Sequence, residues 1–271
     1  MRRKSSPPIK LLSIVVPAYK QEKTIVRDIR NITKTLDELE YRYEIIVVVD
    51  GILDHTLDKL AKLRSRKIKV LGYQKNEGKG HATRYGMMHA SGDVIGFMDA
   101  GMDIHPAGLK MLLNHMEWYN AHAIVGSKLH PVSKVNYPFY RTVLSWGYRL
   151  LTRTLFGFKV RDTQVGLKFF KRNVIRDALP RLIVKRYAFD IELLAVVYAL
   201  GYKRIYEAPV EINFKKSSMT SGNLWKVITL MVWDTLAVYY RLKIIRYYNI
   251  DKKKRFTVLS KKMRLSVSTN K

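Results

Sequence analysis

Val94-Ile-Gly-Phe-Met-Asp99-Ala-Gly-Met-Asp103 is the stretch that decides the fold. The run Val94 to Met98 has no polar break and reads as a strand buried on both faces. It ends in carboxylates, where an open α/β sheet places its ligand crevice, outside the carboxyl ends of the strands. Asp99 offers hard oxygen ligands there for a divalent cation, and such a cation normally carries a diphosphate. Alone the stretch does not establish a metal site, since acidic residues at strand ends commonly cap the next helix.

Working outward, strand-like and helical runs alternate. Leu11 to Val16, Tyr43 to Val49 and Lys67 to Leu71 read as strands ahead of the Asp93 to Met98 strand. Glu22 to Leu39, Thr56 to Leu63 and Gly80 to Ala90 have helical spacing between them. Nearly continuous β-branched strands alternating with helices predict an α/β fold, a mostly parallel sheet covered on both faces. Further on, Pro106 suits the first turn of another helix. Ala121 to Ser127 and Gly166 to Phe170 are strand candidates, and Phe189 to Leu200 is a helix ended by Gly201.

At 271 residues and 47% hydrophobic content, the chain has ample sequence for a large core. It contains no cysteine, which excludes disulfides, thiolate nucleophiles and Cys-based zinc sites. No apolar stretch precedes Leu11, so no secretory signal peptide is expected. The formal charge is +28. Residues 1–10 hold four basic residues, and residues 251–271 hold eight basic and one acidic, leaving +17 on residues 11–250. A charge of this size, spread over tails and body, points to an anionic partner: a membrane surface, a polyphosphate substrate or nucleic acid. Nothing matches a helix-turn-helix, zinc-finger or RNA-recognition pattern, so no nucleic acid is expected.

Two segments stand apart. Tyr137 to Phe158 sets Arg141, Arg149 and Arg153 among Phe139, Trp146, Leu150 and Leu155. Leu224 to Tyr240 is strongly apolar, interrupted by Lys226 and Asp234, and runs into the basic stretch Arg241 to Arg246. A span needs about 20 mostly apolar residues. Both segments are therefore expected to lie in the membrane interface, apolar side down, rather than to cross it; the alternative is a pair of ordinary core or dimer helices. The resulting plan is a basic tail (1–10), an α/β body (11–220) containing an interfacial helix (137–158), a second membrane-interface helix (221–250), and a disordered basic tail (251–271).

Further pieces fall where the crevice would gather them. Val16-Pro-Ala-Tyr19 closes the first strand with Glu22 just after it, and Asp50 closes the second. Asn76-Glu-Gly-Lys79-Gly precedes a helix, so its amides and Lys79 are suited to a phosphate. It lacks the Gly-Lys-Ser/Thr ending of a P-loop, which argues against a P-loop NTPase.

These motifs, followed in order by Arg161-Asp-Thr-Gln164, resemble family-2 glycosyltransferases of the GT-A fold. Within that family the resemblance is closest to the polyprenyl-phosphate sugar transferases, the dolichyl-phosphate glucosyltransferase and mannose synthase branches. Phe158 to Phe170 and Tyr187 to Leu194 are especially similar to the glucosyl branch. The resemblance covers roughly residues 11–220.

It implies a nucleotide-sugar donor, with UDP-glucose favoured, a polyprenyl-phosphate acceptor and Mg²⁺ or Mn²⁺. Pro17, Ala18, Tyr19, Glu22 and Asp50 would line the base and ribose pocket, with Lys79 nearby. Asp99 would bind the metal or the sugar nucleotide beside it. The family usually has Asp-x-Asp here, whereas this chain has Asp99-Ala100-Gly101; Asp103 stands where it could replace the missing carboxylate. Asp162 and Gln164 would shape the sugar pocket. Lys128, in Gly126-Ser127-Lys128, together with Arg141 and Ser145, would grip the acceptor phosphate. Lys215 and Lys216 would face the donor diphosphate. Asp190 and Glu192 read equally well as sugar-pocket neighbours and as helix-start carboxylates.

The implied reaction is attack by a polyprenyl-phosphate oxygen on the anomeric carbon, with inversion. A phosphate monoester is largely ionised at neutral pH, its second pKa being about 6, so no general base is required. Positioning and stabilisation of the departing diphosphate carry the chemistry. The Gln-x-x-Arg-Trp stretch of processive family members is absent, against a polymerising role. The alternatives are a family-2 transferase with a non-lipid acceptor and a catalytically impaired relative that only binds nucleotide-sugar or lipid.

Overall fold

The computed structural model describes residues 9–63, 65–101, 106, 108–135, 139–157, 160–212 and 224–249. The first half alternates as the sequence predicts: β1 (Leu11–Ala18), α1 (Ile25–Asp37), β2 (Arg42–Asp50), α2 (Thr56–Ala61), β3 (Ile68–Tyr73), α3 (Lys79–Met88) and β4 (Val94–Met98). The second half adds α4 (Gly108–Trp118), β5 (Ala123–Ser127), β6 (Lys134–Val135), α5 (Phe139–Phe156), β7 (Leu167–Lys171), α6 (Arg172–Ala178), α7 (Phe189–Ala199), β8 (Ile205–Pro209), β9 (Glu211–Ile212) and α8 (Leu224–Tyr239).

Period-two alternation explains the layers. On β1, Leu12, Ile14 and Val16 share one core with Ile25, Ile29, Ile32 and Leu36 of α1, while Val15 joins the core on the other face with Ala82 and Tyr85 of α3. The α1 residues recur at helical spacing and are buried, each contributing about 1.5–3 kcal/mol relative to exposure. On α7, every residue from Phe189 to Val197 is buried, which is why that stretch has no polar stripe.

The main sheet has the order β3-β2-β1-β4-β7-β5-β8. Parallel ladders join β3, β2, β1 and β4, and another joins β5 to β8. The chain moves outward from β1 to β3, then returns to place β4 on the other side of β1. This reversal opens the crevice at the carboxyl ends of β1 and β4, the ends that carry Tyr19 and Asp99.

Several boundaries differ from the sequence reading for local reasons. α1 starts at Ile25 rather than Glu22; a turn precedes it in which Thr24 N–H donates to Gln21 O (3.0 Å), and the Gln21 and Glu22 amides donate to Thr56 Oγ1 (2.9 Å) and Asp54 (3.2 Å). Pro106 precedes α4 instead of occupying its first turn, and its carbonyl accepts from Leu109 N–H at 2.8 Å. β7 runs antiparallel to both β4 and β5. β8, α6 and the small β6–β9 sheet were not read from the sequence.

The two unusual segments are helices that pack on each other, with Tyr148 on Thr235 (2.8 Å between hydroxyls) and Phe156 against Tyr239. Among the described residues no helix is long and apolar enough to cross a membrane. After α8 a π-helical turn (Tyr240–Ile244) leads to Tyr248, whose buried hydroxyl donates to Glu192 Oε1 at 2.7 Å. Nearly all of the 1–10 segment and the whole of the 251–271 tail lie outside the described residues.

Candidate active site

The crevice is organised around the end of β4. Asp99 N–H donates to Gly166 O at 3.0 Å, which ties the β4 terminus to the residue preceding β7. The carboxylate rests against Gly166 so closely that a Cβ there would stand 1.9 Å from Asp99 Oδ2. Two residues on, Gly101 has φ +101° and donates its N–H to Asp28 Oδ2 (3.2 Å), a fully buried carboxylate on α1. That φ lies where side chains are rarely accommodated, so the turn itself favours glycine at the position where the resembled family carries its second Asp.

Lys79, the first residue of α3, projects its ammonium onto Asp99, 2.9 Å from Oδ2 and 2.8 Å from Oδ1. The same ammonium stands 3.8 Å from Asp190 Oδ2, and the other Asp190 oxygen pairs with Lys168, a lysine buried completely within β7. Burial opposes charge on Lys79, but Asp99 and Asp190 more than offset it and raise its pKa above the ordinary lysine value. For Lys168 the balance reverses: burial lowers its pKa, and Asp190 restores only part. Asp190 thus belongs to this cluster. Glu192 does not, since it accepts hydrogen bonds from Ile183 N–H, Val184 N–H and the Tyr248 hydroxyl.

Asp50 organises the loop that delivers Lys79. Its carboxylate accepts from the Tyr73 hydroxyl (2.9 Å), Asn76 Nδ2 (3.0 Å), Glu77 N–H (2.8 Å) and Gly78 N–H (3.0 Å). Burial and the adjacent Asp50 charge push the Tyr73 hydroxyl's pKa upward, so it stays a donor. Between the ends of β2 and β4, Pro17 and buried Ala18 end β1 and Tyr19 is 45% exposed. Glu22 Oε2 accepts from His55 N–H (3.1 Å), stitching the segment after β1 to the β2–α2 loop.

The sugar-pocket and acceptor candidates form a second group. Asp162 accepts from Lys128 N–H (3.1 Å) and Gln164 N–H (3.1 Å), with the Lys128 ammonium 3.7 Å away. Its own N–H donates to Glu207 Oε1 (2.9 Å) on β8. Gln164 Nε2 donates to the Tyr148 hydroxyl (3.3 Å) on α5, one turn beyond half-buried Ser145. Asp103, Lys215 and Lys216 lie outside the described residues, as does the side chain of Arg141. Asp28, Tyr148, Gly166, Lys168 and Glu207 were missed from the sequence. Lys168 left a signal, because a lysine inside an apolar strand is almost never fully buried unless paired.

Among the described residues no three His or carboxylate side chains converge as a metal site. Asp99 nonetheless fits a metal anchor. Its buried Oδ1 has the Lys79 ammonium 2.8 Å away but without hydrogen-bond alignment, and Mg²⁺ is typically held by one or two carboxylates plus substrate phosphates.

A switch-point crevice with an acidic anchor, an ammonium beside it and a glycine-bearing helix start is suited to a diphosphate-bearing nucleotide in an α/β protein. The chain belongs to glycosyl transferase family 2, which it matches over residues 13–179, more than half its length. It is 35% identical over 224 residues to a human protein named dolichyl-phosphate beta-glucosyltransferase, covering 76% of this chain and 68% of that one. A Drosophila melanogaster protein of the same name is 34% identical over 201 residues, 68% of this chain and 61% of that one. In structure the chain is similar to glucosyl-3-phosphoglycerate synthase from Mycobacterium tuberculosis in complex with Mn²⁺, UDP and phosphoglyceric acid. The TM-score is 0.64 at 20% identity, covering 90% of this chain and 80% of that one, a likeness of fold. The GT-A expectation is met, and the protein is a nucleotide-sugar-dependent glycosyltransferase.

Proposed function

We propose that this protein transfers a sugar, with glucose from UDP-glucose favoured, to a polyprenyl phosphate at the cytoplasmic face of a membrane. The observation that carries the reading is the Asp99–Lys79 pair at the β1/β4 switch point, in a chain whose relatives are named for transfer to dolichyl phosphate.

The acceptor phosphate oxygen forms a bond to the anomeric carbon as the bond from that carbon to the donor diphosphate breaks, inverting the configuration and releasing the nucleoside diphosphate. Lys79 neutralises charge on the donor diphosphate, and Lys215 and Lys216 do so as it departs. Asp99, with Asp103, would hold Mg²⁺ or Mn²⁺, which when bound supplies Lewis-acid charge at the same diphosphate. Pro17, Ala18, Tyr19 and Glu22 line the base and ribose side, and Asp50 contributes through the loop it holds. Asp162 and Gln164 shape the sugar pocket; Lys128, Arg141 and Ser145 grip the acceptor phosphate.

The membrane part of the reading rests on α5 and α8. Trp146 is 62% and Trp233 72% exposed, and Leu150, Leu230, Leu236 and Ile244 are exposed as well. Arg149, Arg153, Arg241 and Lys243 lie on the same segments, a composition suited to an anionic cytoplasmic leaflet. The body of residues 11–220 then carries the chemistry and residues 221–250 the second interfacial element.

The test is transfer of labelled sugar from UDP-glucose or GDP-mannose to polyprenyl phosphate in detergent with Mn²⁺, with 3-phosphoglycerate as a competing acceptor. Lipid-linked glucose is expected. Transfer only to 3-phosphoglycerate would instead support a soluble acceptor, as bound in the Mycobacterium structure. UDP binding with no transfer would support a binding-only relative.

A further inference from the structure

A line of alternating charge runs from the interior of the sheet to the crevice: Lys168, Asp190, Lys79, Asp99. Lys168 is fully buried, and its ammonium also donates to Val165 O at 2.5 Å, which fixes it in place. Asp190 is 4% exposed at the side chain, while Lys79 is 28% exposed and reaches the crevice. Both ammoniums lie over the same Phe97 ring, at 5.1 and 5.9 Å from its centroid, with Asp190 between them. The asymmetry is informative. Asp190 gives its close contact to Lys168 and only a 3.8 Å approach to Lys79. Unpaired, a buried carboxylate would hold Lys79 tightly and compete with any phosphate for it. Neutralised by Lys168, it orients the Lys79 stem and leaves the ammonium's close contacts to Asp99 at the crevice.

We propose that Asp190 and Lys168 are positioning residues for donor binding. Together they hold the Lys79 ammonium at the end of β4 while leaving it available to the donor diphosphate. The inference rests on the functional reading above. A pair that served only to fill the core would be replaceable by uncharged side chains without effect on nucleotide affinity.

The experiment is UDP titration of the full chain by calorimetry with Mn²⁺ present, alongside thermal midpoints and the KM-against-kcat split for UDP-glucose. Asp190→Asn should weaken UDP about tenfold and raise KM more than it lowers kcat. Since that variant strands Lys168 and risks misfolding, Lys168→Met/Asp190→Asn removes both buried charges together and is expected to stay folded. It too should bind UDP about tenfold more weakly. In a Lys79→Met background, Asp190→Asn should change UDP affinity by less than about twofold, because its effect passes through Lys79. A folded Lys168→Met/Asp190→Asn protein with wild-type UDP affinity would overturn the inference, as would an equal effect of Asp190→Asn with and without Lys79. Absence of UDP binding by the wild type would overturn the functional reading, and the inference with it.

Discussion

Gly166→Ala is the sharpest single perturbation of this site. The added methyl would sit 1.9 Å from Asp99 Oδ2, 2.2 Å from Cγ and 2.7 Å from Oδ1. Real Cβ contacts essentially never fall below 3.0 Å, so the carboxylate must retreat by more than 1 Å. Its room to move is toward the open side of the crevice, since the Asp99 side chain is 38% exposed. That motion breaks the 2.8–2.9 Å contacts with Lys79. A misplacement of about 1 Å in a catalytic constellation can cost about 100-fold, or about 2.7 kcal/mol of transition-state stabilisation. The fold should suffer less, because one half-exposed side chain can absorb the strain; the thermal midpoint should drop by no more than about 5 °C. Initial rates with UDP-glucose and polyprenyl phosphate, paired with a thermal melt, measure both. A folded Gly166→Ala enzyme within about threefold of wild-type kcat/KM would refute the claim that chemistry needs Asp99 where it stands.

Three further outcomes are expected. Asp50→Ala leaves the Tyr73 hydroxyl and the Glu77 and Gly78 amides without their carboxylate, so stability should fall by about 3 kcal/mol, roughly 6–12 °C by thermal melt, and UDP affinity should fall with it. Burial, aided by the neighbouring Arg84 guanidinium, depresses the His81 pKa to about 4 from an ordinary 6.5. The unfolded chain therefore binds a proton first as pH falls, and stability present above pH 6.5 declines by up to about 3 kcal/mol toward pH 4; denaturant midpoints should show this, with a shallower slope in His81→Phe. Trp146→Ser/Trp233→Ser should lower partitioning onto anionic vesicles by about tenfold or more in co-sedimentation, with the melt unchanged because both rings are mostly exposed.

The central strands were legible because β1, β2 and β4 are short, nearly unbroken apolar and β-branched runs alternating with helical spacing, the pattern of a sheet covered on both faces. Strand direction was not, since periodicity carries no sign; β7 reads the same parallel or antiparallel. Edge strand β8 has the burial pattern of a half-covered strand, and Tyr206 and Glu207 dilute its apolar signal. At the site, Asp99 was found from its place at a strand end, but its partner Lys79 is 20 residues away and meets it only through the fold. Asp190 and Glu192 looked equivalent in sequence. Two residues on a helix are turned about 200° apart, so one faces Lys79 and the other faces Tyr248. Gly101 read as a lost ligand, and the structure shows a turn with φ +101° held by buried Asp28.

The most direct test is a single-turnover assay of wild type and Asp99→Asn, with UDP-[¹⁴C]glucose, polyprenyl phosphate and Mn²⁺, scoring label in the lipid phase. Wild type should form lipid-linked glucose, and Asp99→Asn, which keeps the side chain's size but loses the charge facing Lys79, should form at least about 100-fold less while staying folded. Equal lipid product from the two proteins would contradict the assignment of sugar transfer to the Asp99 crevice.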